Sequence, residues 1–137
     1  MPKHVAELAV KGLNEVGKVI KGSKVLIMGL TYKEDVPDTR ESPVEEIVHE
    51  LKEYKVQIFG CDPLLPDDVI RKFGAEPVRN LDRTFDAVII AVAHEQFRKM
   101  PASAIRALMK EYPVLVDVRG MLAQDPGPLK EGYYRKL

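Results

Sequence analysis

The chain has 137 residues, 45% of them apolar, which is enough for one compact core and too few for two ordinary domains. Its 21 basic and 21 acidic residues balance, so no long-range field attracts nucleic acid or an anionic membrane. The apolar runs are far shorter than the ~20 residues that span a bilayer, and no basic-then-apolar leader opens the chain, which predicts a cytoplasmic protein. A single cysteine and three scattered histidines predict neither an internal disulfide nor a metal site.

The first segment, residues 3–21, has the period of a helix. Its apolar residues recur every three or four positions with no proline between them: Val5, Leu8, Ala9, Leu13, Val16 and Ile20. Gly22 stands where a helix commonly ends. Val10 and Val19 widen the apolar stripe beyond what one core face needs, so we expect part of this helix to pack against another domain or another subunit.

Four short apolar runs predict the central strands of a parallel sheet. They span residues 24–30, 56–62, 87–92 and 113–118. Continuous apolarity of this kind is typical of strands that are buried on both faces. Residues 75–78 are a candidate fifth strand, which Pro77 would keep at an edge of the sheet or make irregular.

Helical patterns lie between these runs. Three groups of apolar residues have the helical period: Val44, Ile47, Val48, Leu51 and Tyr54; Val69, Ile70 and Phe73; Ala104, Ile105, Leu108 and Met109. Strands that alternate with helices form right-handed crossovers. The sequence therefore predicts an α/β fold, a Rossmann-like doubly wound parallel sheet preceded by a long N-terminal helix.

Several residues predict where individual elements begin and end. Ser42 as N-cap, Pro43 at the first helical position and Glu45 as the far member of a capping box predict the start of the second helix. Gly74 predicts the end of the third helix. The prolines and glycines of residues 123–137 predict an irregular C-terminus.

The loop GLTYKEDVPDTRESP, residues 29–43, is the main candidate binding loop, because open α/β sheets bind ligands beyond the carboxyl ends of their strands. It has only Gly29 where a dinucleotide-binding turn has G-x-G-x-x-G, so a complete dinucleotide site is not expected. Lys33 supplies a point charge and Arg40 a planar fork, and both suit phosphate or carboxylate oxygens. Asp35 and Asp38 can hold these cations in place. The alternative is a solvated, self-paired polar loop.

Arg119 follows the last central strand and can converge on the same crevice as this loop. The alternative for Arg119 is a surface ion pair with Asp117 or Glu131.

Three further polar or reactive residues follow or end strands, and we expect no catalysis from them. His94 should open a short helix and hydrogen-bond locally, since no nucleophile accompanies it. Cys61 should behave as a small apolar residue in a buried strand rather than as a nucleophile. Asp62, with Pro63, should end the second strand and turn the chain.

Four segments together carry a resemblance to a known family: KVLIMGLTYKEDVPDTRESPVEEIVHEL, VQIFGCDPLL, FDAVIIAVAHEQFR and VLVDVRGML. They resemble the C-terminal domain of the UDP-glucose/GDP-mannose dehydrogenase family, with its G-L-x-[YF]-K-x-x-x-x-D-x-R-x-S, D-P and D-x-R motifs in order. The resemblance implies that residues 1–22 are the end of the central helix, which links the two domains and dimerises. It also implies that residues 23–137 form a UDP-sugar-binding α/β domain.

Members of the family oxidise the C6 alcohol of a nucleotide sugar to a carboxylate in two NAD-dependent steps. The resemblance implies that Tyr32 and Lys33 contact the nucleotide sugar and that Arg119 contacts its diphosphate region. It implies that Arg40 reaches an NAD held mainly by the N-terminal domain. The family's catalytic cysteine and G-x-G-x-x-G domain match nothing in this sequence, so we expect no catalytic residue here and no turnover by the chain alone. The implied partners are the UDP-sugar, the chain's own N-terminal dehydrogenase domain and a second copy bound through the central helix.

Other interpretations stay open at this point. The first is a stand-alone nucleotide-binding or interaction module without turnover, although the set of Lys33, Arg40 and Arg119 argues against it. The second is a flavodoxin-like or receiver-type signalling domain, suggested by fold class alone. A receiver would need acidic residues that GLTYK and AVAHE do not supply. RESP is similar to the branch that acts on UDP-N-acetylmannosamine, but UDP-glucose, and the choice between uracil and guanine, also stay open.

Overall fold

The computed structural model of the chain describes residues 2–127, 129 and 132–137. Five helices and six strands are present among these residues. The helices are α1 (Pro2–Glu15), α2 (Val44–Lys52), α3 (Asp67–Lys72), α4 (Glu95–Arg98) and α5 (Ala102–Arg106). The strands are β1 (Lys24–Met28), β2 (Gln57–Cys61), β3 (Glu76–Pro77), β4 (Ala87–Ile90), β5 (Val114–Asp117) and β6 (Tyr133–Lys136).

The strands form one sheet in the order β3-β2-β1-β4-β5-β6, and every pair of neighbours is parallel. This is the strand order of a doubly wound Rossmann sheet, so the predicted fold class is confirmed. The chain winds outward in one direction from β1 to β3 and then returns to place β4 on the other side of β1. Ligand-binding crevices of such sheets open at this switch point, beyond the carboxyl ends of β1 and β4.

Alternate residues of each central strand enter two cores, one on each face of the sheet. On one face, Ile27 of β1 and Ile89 of β4 pack with α1, α2 and α3. On the other, Leu26 and Ile90 pack with Phe97 of α4 and with α5. Every residue of β4 and β5 is buried, as expected for strands covered on both faces.

The first helix is shorter than the sequence predicts, because it ends at Glu15 rather than near residue 21. Gly17, with φ of +81°, terminates it, and not Gly22. The N–H of Lys18 donates to the carbonyl of Leu13, and the N–H of Gly17 donates to that of Asn14. These two bonds are the Schellman motif, which requires a left-handed residue that glycine adopts without strain.

The first helix packs onto the same core as the sheet. Val5, Ala6, Ala9 and Leu13 are buried against α2 and the strands beneath. Val10 is partly buried, whereas Val19, beyond the end of the helix, is 77% exposed. The division of the chain after residue 22 and the packing of this helix on another domain or subunit remain predictions.

The start of α2 follows the prediction in part. Pro43 already has helical dihedral angles, and the hydroxyl of Ser42 accepts a hydrogen bond from the N–H of Val44. Ser42 therefore caps the helix. The capping box is wrong, because the N–H of Ser42 donates to the carbonyl of Thr39 rather than to Glu45.

Of three further predictions, the structure confirms two and corrects one. The third helix ends as predicted, before Gly74, whose φ is +91°. The predicted fifth strand is confirmed as the two-residue edge strand β3, which contains Pro77. The fourth helical pattern ends earlier than expected, since α5 stops at Arg106.

The prediction of an irregular C-terminus is wrong for residues 133–136, which form β6 beside β5. Residues 128, 130 and 131 of that segment lie outside the described residues. Among the residues that the structure describes, no helix has both the length and the apolarity to cross a membrane.

Candidate functional site

Backbone of the loops after β1 and β4 makes close contact at the switch point. Gly29, directly after β1, has φ of +90°, and a Cβ built on it would lie 2.6 Å from Cβ of Val92 and 2.8 Å from its carbonyl oxygen. Any side chain at position 29 would therefore push the loop after β4 away. This glycine serves the packing of two loops, and the Gly-rich turn of a dinucleotide site is not required to explain it.

The loop from β1 to α2 is folded back on itself. The N–H of Tyr32 donates to the carbonyl of Asp38 at 2.9 Å. The carboxylate of Asp38 accepts two hydrogen bonds from the Arg40 guanidinium, both at 3.1 Å, and these bonds hold the pKa of Asp38 below its usual range. The prediction that an acidic neighbour holds Arg40 is thus confirmed. The side chain of Arg40 is 87% exposed and points away from the core.

An ion pair joins the loops that follow β1 and β5. The Nε of Arg119 lies 3.9 Å from Oε1 of Glu34, and the Arg119 side chain is 45% exposed. The predicted alternative, a pair with Asp117, is wrong, because the Asp117 carboxylate accepts bonds from the N–H groups of Met121 and Leu122. Glu131, the other predicted partner, lies outside the described residues.

Asp117 connects β6 to this edge of the sheet. The hydroxyl of Tyr134 donates to the fully buried Asp117 carboxylate at 2.7 Å. Burial, followed by this bond to an anion, raises the pKa of Tyr134. Asp117 therefore shapes the turn that presents Arg119.

Tyr32 and Lys33 lie next to Glu34 and are both exposed. The Lys33 ammonium lies 5.9 Å from the centroid of the Tyr32 ring, at the outer limit of a cation–π contact. Glu34, the residue after Lys33, is the part of this loop that contacts Arg119. Arg40, paired with Asp38, lies further along the same loop.

A buried network that the sequence did not indicate lies beneath this loop. His94, 1% exposed, places its Nε2 at 3.0 Å from Oδ2 of the fully buried Asp62. Asp62 also accepts bonds from the N–H groups of Leu30, at 2.7 Å, and Leu64, at 2.9 Å. Burial alone would raise the pKa of Asp62, but the bonds from His94 and from the two N–H groups outweigh it, and the pKa is lowered.

Asp35 does not hold a cation of the loop, contrary to the prediction. Its N–H donates to Nδ1 of His94 at 2.9 Å, and its carboxylate accepts from the N–H of Glu95 at 2.9 Å. The expectation that His94 bonds only locally is therefore wrong. His94 is the N-cap residue of α4, but its ring binds segments that follow β1 and β2.

Cys61 is buried at the end of β2, as predicted. Burial, followed by the neighbouring Asp62 charge, raises the pKa of this thiol to about 11. A thiol that stays protonated near neutral pH is a poor nucleophile. The apolar interpretation of Cys61 fits its environment.

Two cavities lie beside the ends of these loops. One of about 940 Å³ lies between α2, α3 and the start of α1, with Glu46, His49 and Phe73 in its wall. Another of about 280 Å³ lies beside Cys61 and Phe97. Neither of these two cavities is lined by Tyr32, Lys33 or Arg119. Within the described part of the chain, no three His, Cys, Asp or Glu side chains gather as a metal site would need.

Comparisons with known proteins give a consistent result. The sequence model of the UDP-glucose/GDP-mannose dehydrogenase family, UDP binding domain, matches residues 26–124. The UDP-N-acetyl-D-glucosamine 6-dehydrogenase of Pseudomonas aeruginosa is 37% identical over 132 residues, which cover 95% of this chain and 31% of that protein. A UDP-N-acetyl-D-mannosamine dehydrogenase of Methanococcus aeolicus is 31% identical over 124 residues, or 89% of this chain and 27% of that protein.

A solved structure supports the same relationship. The NDP-N-acetyl-D-galactosaminuronic acid dehydrogenase of Methanosarcina mazei Go1 superposes with a TM-score of 0.80 at 26% identity. The match covers 98% of this chain and 28% of that protein. The chain thus spans between 27% and 31% of the length of these relatives. The chain belongs to the UDP-glucose/GDP-mannose dehydrogenase family, and residues 26–124 match the UDP-binding domain of that family.

Proposed function

We propose that the chain is the nucleotide-sugar-binding part of an NAD-dependent UDP-sugar 6-dehydrogenase, and that Tyr32, Lys33 and Arg119 bind the substrate. The observation that carries the proposal is the contact between Glu34 and Arg119, 3.9 Å long, which joins the loops after β1 and β5. This contact supports the proposal because Glu34 directly follows Lys33 in the chain, and because the family model that matches residues 26–124 is described as a UDP binding domain.

The chemistry of these side chains suits a nucleoside diphosphate. Lys33 can act as a mobile point charge, while the flat guanidinium of Arg119 can bind two phosphate oxygens at once. Both cations are exposed, so a ligand can reach them without unfolding the loop. The ring of Tyr32, 43% exposed, offers a face for a base or a sugar. Binding of a diphosphate to Arg119 would require the ion pair between Arg119 and Glu34 to break.

The residues present do not fit a complete dinucleotide site within this chain. The N–H of Leu30, which follows Gly29, is bonded to Asp62, and the Leu30 carbonyl accepts from the Ser42 hydroxyl. The Leu30 N–H is therefore already occupied and does not point to a pyrophosphate, and the carbonyl, an acceptor, could not bind one. NAD, when bound, accepts hydride from the sugar alcohol. We propose that a separate N-terminal dehydrogenase domain holds NAD and that Arg40 contacts it from the edge of this domain.

Arg40 is suited to such a contact across a cleft. Asp38 occupies its Nε and Nη2 atoms, which fixes the plane of the guanidinium and leaves Nη1 free to donate. A pre-oriented cation binds an anion with a smaller loss of conformational entropy than a mobile one.

The relatives suggest the substrate class. Two of them are named for UDP-N-acetyl-D-glucosamine and UDP-N-acetyl-D-mannosamine, so we propose a UDP-N-acetylhexosamine as substrate, with UDP-glucose as the alternative. We further propose that such a uronic acid product serves polysaccharide biosynthesis and that the protein is cytoplasmic. The remaining proposed partner is a second copy of the protein, bound through the first helix.

A UDP titration followed by amide chemical shifts tests the substrate site. We expect saturable shifts in residues 29–40 and 118–120, and an affinity lower by about fivefold or more in Lys33→Ala and in Arg119→Ala, because each removes a charged partner of the diphosphate. Lys21→Ala is the matched control, since Lys21 is an exposed lysine before β1, at the opposite edge of the sheet.

Uridine provides the second comparison, because it keeps the base and lacks the diphosphate. It should bind more weakly than UDP and should not distinguish the wild type from Arg119→Ala. Equal UDP affinity in the wild type and all three variants, or shifts confined to other surfaces, would contradict the proposed site.

A further inference from the structure

His94 lies where the ends of β1, β2 and β4 meet, and the binding chemistry proposed above does not use it. Its side chain is 1% exposed, and both ring nitrogens are within hydrogen-bond distance of other segments. Nδ1 lies 2.9 Å from the N–H of Asp35, and Nε2 lies 3.0 Å from Oδ2 of Asp62. Burial of a polar ring costs free energy unless its nitrogens form hydrogen bonds.

These contacts determine the tautomer of the ring. A backbone N–H can only donate, so Nδ1 of His94 must be unprotonated to accept the bond from Asp35. The ionised carboxylate of Asp62 can only accept, so Nε2 must carry the proton. The ring is therefore neutral, with its proton on Nε2, and a proton added at Nδ1 would face the N–H of Asp35.

The same ring contacts both ends of a short segment, Tyr32–Glu34. Before it, the hydroxyl of Thr31 donates to the carbonyl of Lys33, which leaves the Thr31 oxygen as an acceptor 3.4 Å from Nε2 of His94. After it, Asp35 bonds to Nδ1. The three residues between these points include Lys33 and the Glu34 that contacts Arg119.

Asp35 is held in a conformation that needs support. Its φ is +61°, in the left-handed region that few residues other than glycine, asparagine and aspartate adopt. The bond from its N–H to His94 and the bond from Glu95 to its carboxylate stabilise this conformation from two sides. Loss of the His94 acceptor would leave the Asp35 N–H without this partner and favour a different path for the loop.

On the basis of the proposed function, we propose that His94, as the neutral Nε2–H tautomer, is a positioning residue of the nucleotide-sugar site. Through its bond with the Asp35 N–H, it holds the end of the Tyr32–Glu34 segment and so sets the position of the Lys33 ammonium and of the Glu34 contact with Arg119. His94 touches neither the substrate nor the cofactor in this arrangement.

Two substitutions separate the two contacts of the ring. In His94→Asn, the side-chain oxygen takes the place of Nδ1 and can accept from Asp35, but the amide is too short to reach Asp62. In His94→Gln, the amide reaches the place of Nε2 and can donate to Asp62, but nothing accepts from Asp35. His94→Leu keeps a similar volume and makes neither bond.

We expect UDP affinity within about twofold of wild type for His94→Asn and about fivefold weaker for His94→Gln and His94→Leu, as one lost hydrogen bond near the ligand predicts. For His94→Gln and His94→Asn, thermal stability should follow the opposite order to UDP affinity. His94→Gln should be the more stable of the two, because it keeps the buried hydrogen-bond partner of Asp62. A purely structural histidine would instead make UDP affinity follow stability, with His94→Gln binding better than His94→Asn.

Lys33→Ala, titrated in parallel, separates this inference from the function on which it rests. If Lys33→Ala binds UDP weakly while all three His94 variants bind as wild type does, the positioning role is wrong and the substrate site stands. If Lys33→Ala also binds as wild type does, the site itself is wrong and the positioning role is lost with it.

Two measurements without ligand test the geometry directly, and the first of them needs only the wild type. Long-range ¹H–¹⁵N correlation spectra of the wild type should show a proton on Nε2 of His94 and none on Nδ1. Hydrogen exchange of the Asp35 amide should be slow in the wild type and in His94→Asn, and fast in His94→Gln. A proton on Nδ1, or an Asp35 amide that exchanges equally fast in all of them, would overturn the inference.

Discussion

Among single residues, Asp62 makes the contacts that organise the end of the sheet. It is fully buried, and its two oxygens accept bonds from Leu30, Leu64 and His94. An ionised group without water is stable only when such donors surround it. Asp62 therefore belongs to the framework of the loop after β1, and it is more than the end of a strand.

Replacement of this carboxylate tests its role. Asp62→Asn should lower the free energy of unfolding at pH 7 by about 2 kcal/mol, because hydrogen bonds to a charged group are lost and an amide N–H₂ faces donors. Urea unfolding measures the change. Asp82→Asn, at an exposed position, is the control and should stay within about 0.5 kcal/mol of wild type.

The stability difference between wild type and Asp62→Asn should depend on pH. The native pKa of Asp62 is lowered, whereas the unfolded chain has a value of about 3.9. The stability that ionised Asp62 contributes is thus fully present above about pH 4 and is lost as pH falls through the lowered native pKa. The difference between wild type and Asp62→Asn should therefore shrink in acid. A difference that is constant from neutral pH into acid would contradict the assignment of these bonds to the ionised carboxylate.

The sequence indicated the residues of the charged loop but not the contacts beneath it. Asp62 and His94 are 32 positions apart, and only the pairing of β1 with both β2 and β4 brings them together. A lone aspartate before proline and a lone histidine before glutamate each have a common local explanation. The signal that could have linked them is their shared position, directly after two strands that flank β1 in a doubly wound sheet.

At the scale of elements, the central strands were predictable because each is a continuous apolar run buried on both faces. The edge strand β6 was not, since Tyr133 is buried while Arg135 and Lys136 are exposed, and a half-covered edge strand of four residues resembles a polar tail. The predicted end of α1 near residue 21 was also wrong. Val16 and Ile20 continue the apolar period, but the left-handed Gly17 ends the helix before them.

The contact between α1 and the sheet depends on Gly12. A Cβ at this position would lie 2.5 Å from Cδ1 of Tyr133 and 2.6 Å from Cγ1 of Val114, far inside van der Waals contact. A glycine inside a helix costs about 1 kcal/mol relative to alanine, so its presence here points to packing rather than to helix propensity. The helix thus lies close to β5 and β6.

Gly12→Ala should therefore destabilise the protein although alanine is the better helix former. Overpacking should lower the free energy of unfolding by about 1–3 kcal/mol, whereas the better helix propensity of alanine should raise it by about 1 kcal/mol. We therefore expect a net loss of stability and a lower Tm in thermal unfolding. Lys11→Ala, at an exposed position of the same helix, should leave Tm nearly unchanged. A Gly12→Ala variant with a raised Tm would mean that α1 does not approach the sheet as closely as described.

For the whole molecule, the open question is whether the sheet can fold without α1. The sequence predicts a boundary after residue 22, with the preceding helix belonging to an interdomain element. In the structure, four residues of this helix are at most 2% exposed and join the core on one face of the sheet: Val5, Ala6, Ala9 and Leu13. Two roles are compatible with these positions, because one face of a helix can complete a domain while the other serves an interface.

A truncated protein of residues 23–137 tests whether α1 is needed to complete the fold. Without α1, the inner face of α2 and the neighbouring strands lose an apolar cover, and each fully buried Val or Leu side chain contributes about 1.5–3 kcal/mol. That loss is large beside the 5–15 kcal/mol that stabilises a typical domain. We expect residues 23–137 to bind a hydrophobic dye, to lose near-UV circular dichroism and to unfold without a cooperative transition.

A peptide of residues 1–18 added to residues 23–137 is the control for a general effect of truncation. It includes the buried face of α1 and its Schellman motif, so it should restore part of the near-UV signal, whereas the same peptide with Leu13→Asp should not. If residues 23–137 alone unfold cooperatively with a Tm within a few degrees of the full chain, the boundary after residue 22 is real and the contacts of α1 with the sheet add little. If the peptide is needed, the helix is part of the nucleotide-sugar-binding unit, and any interface that it forms must use its outer face.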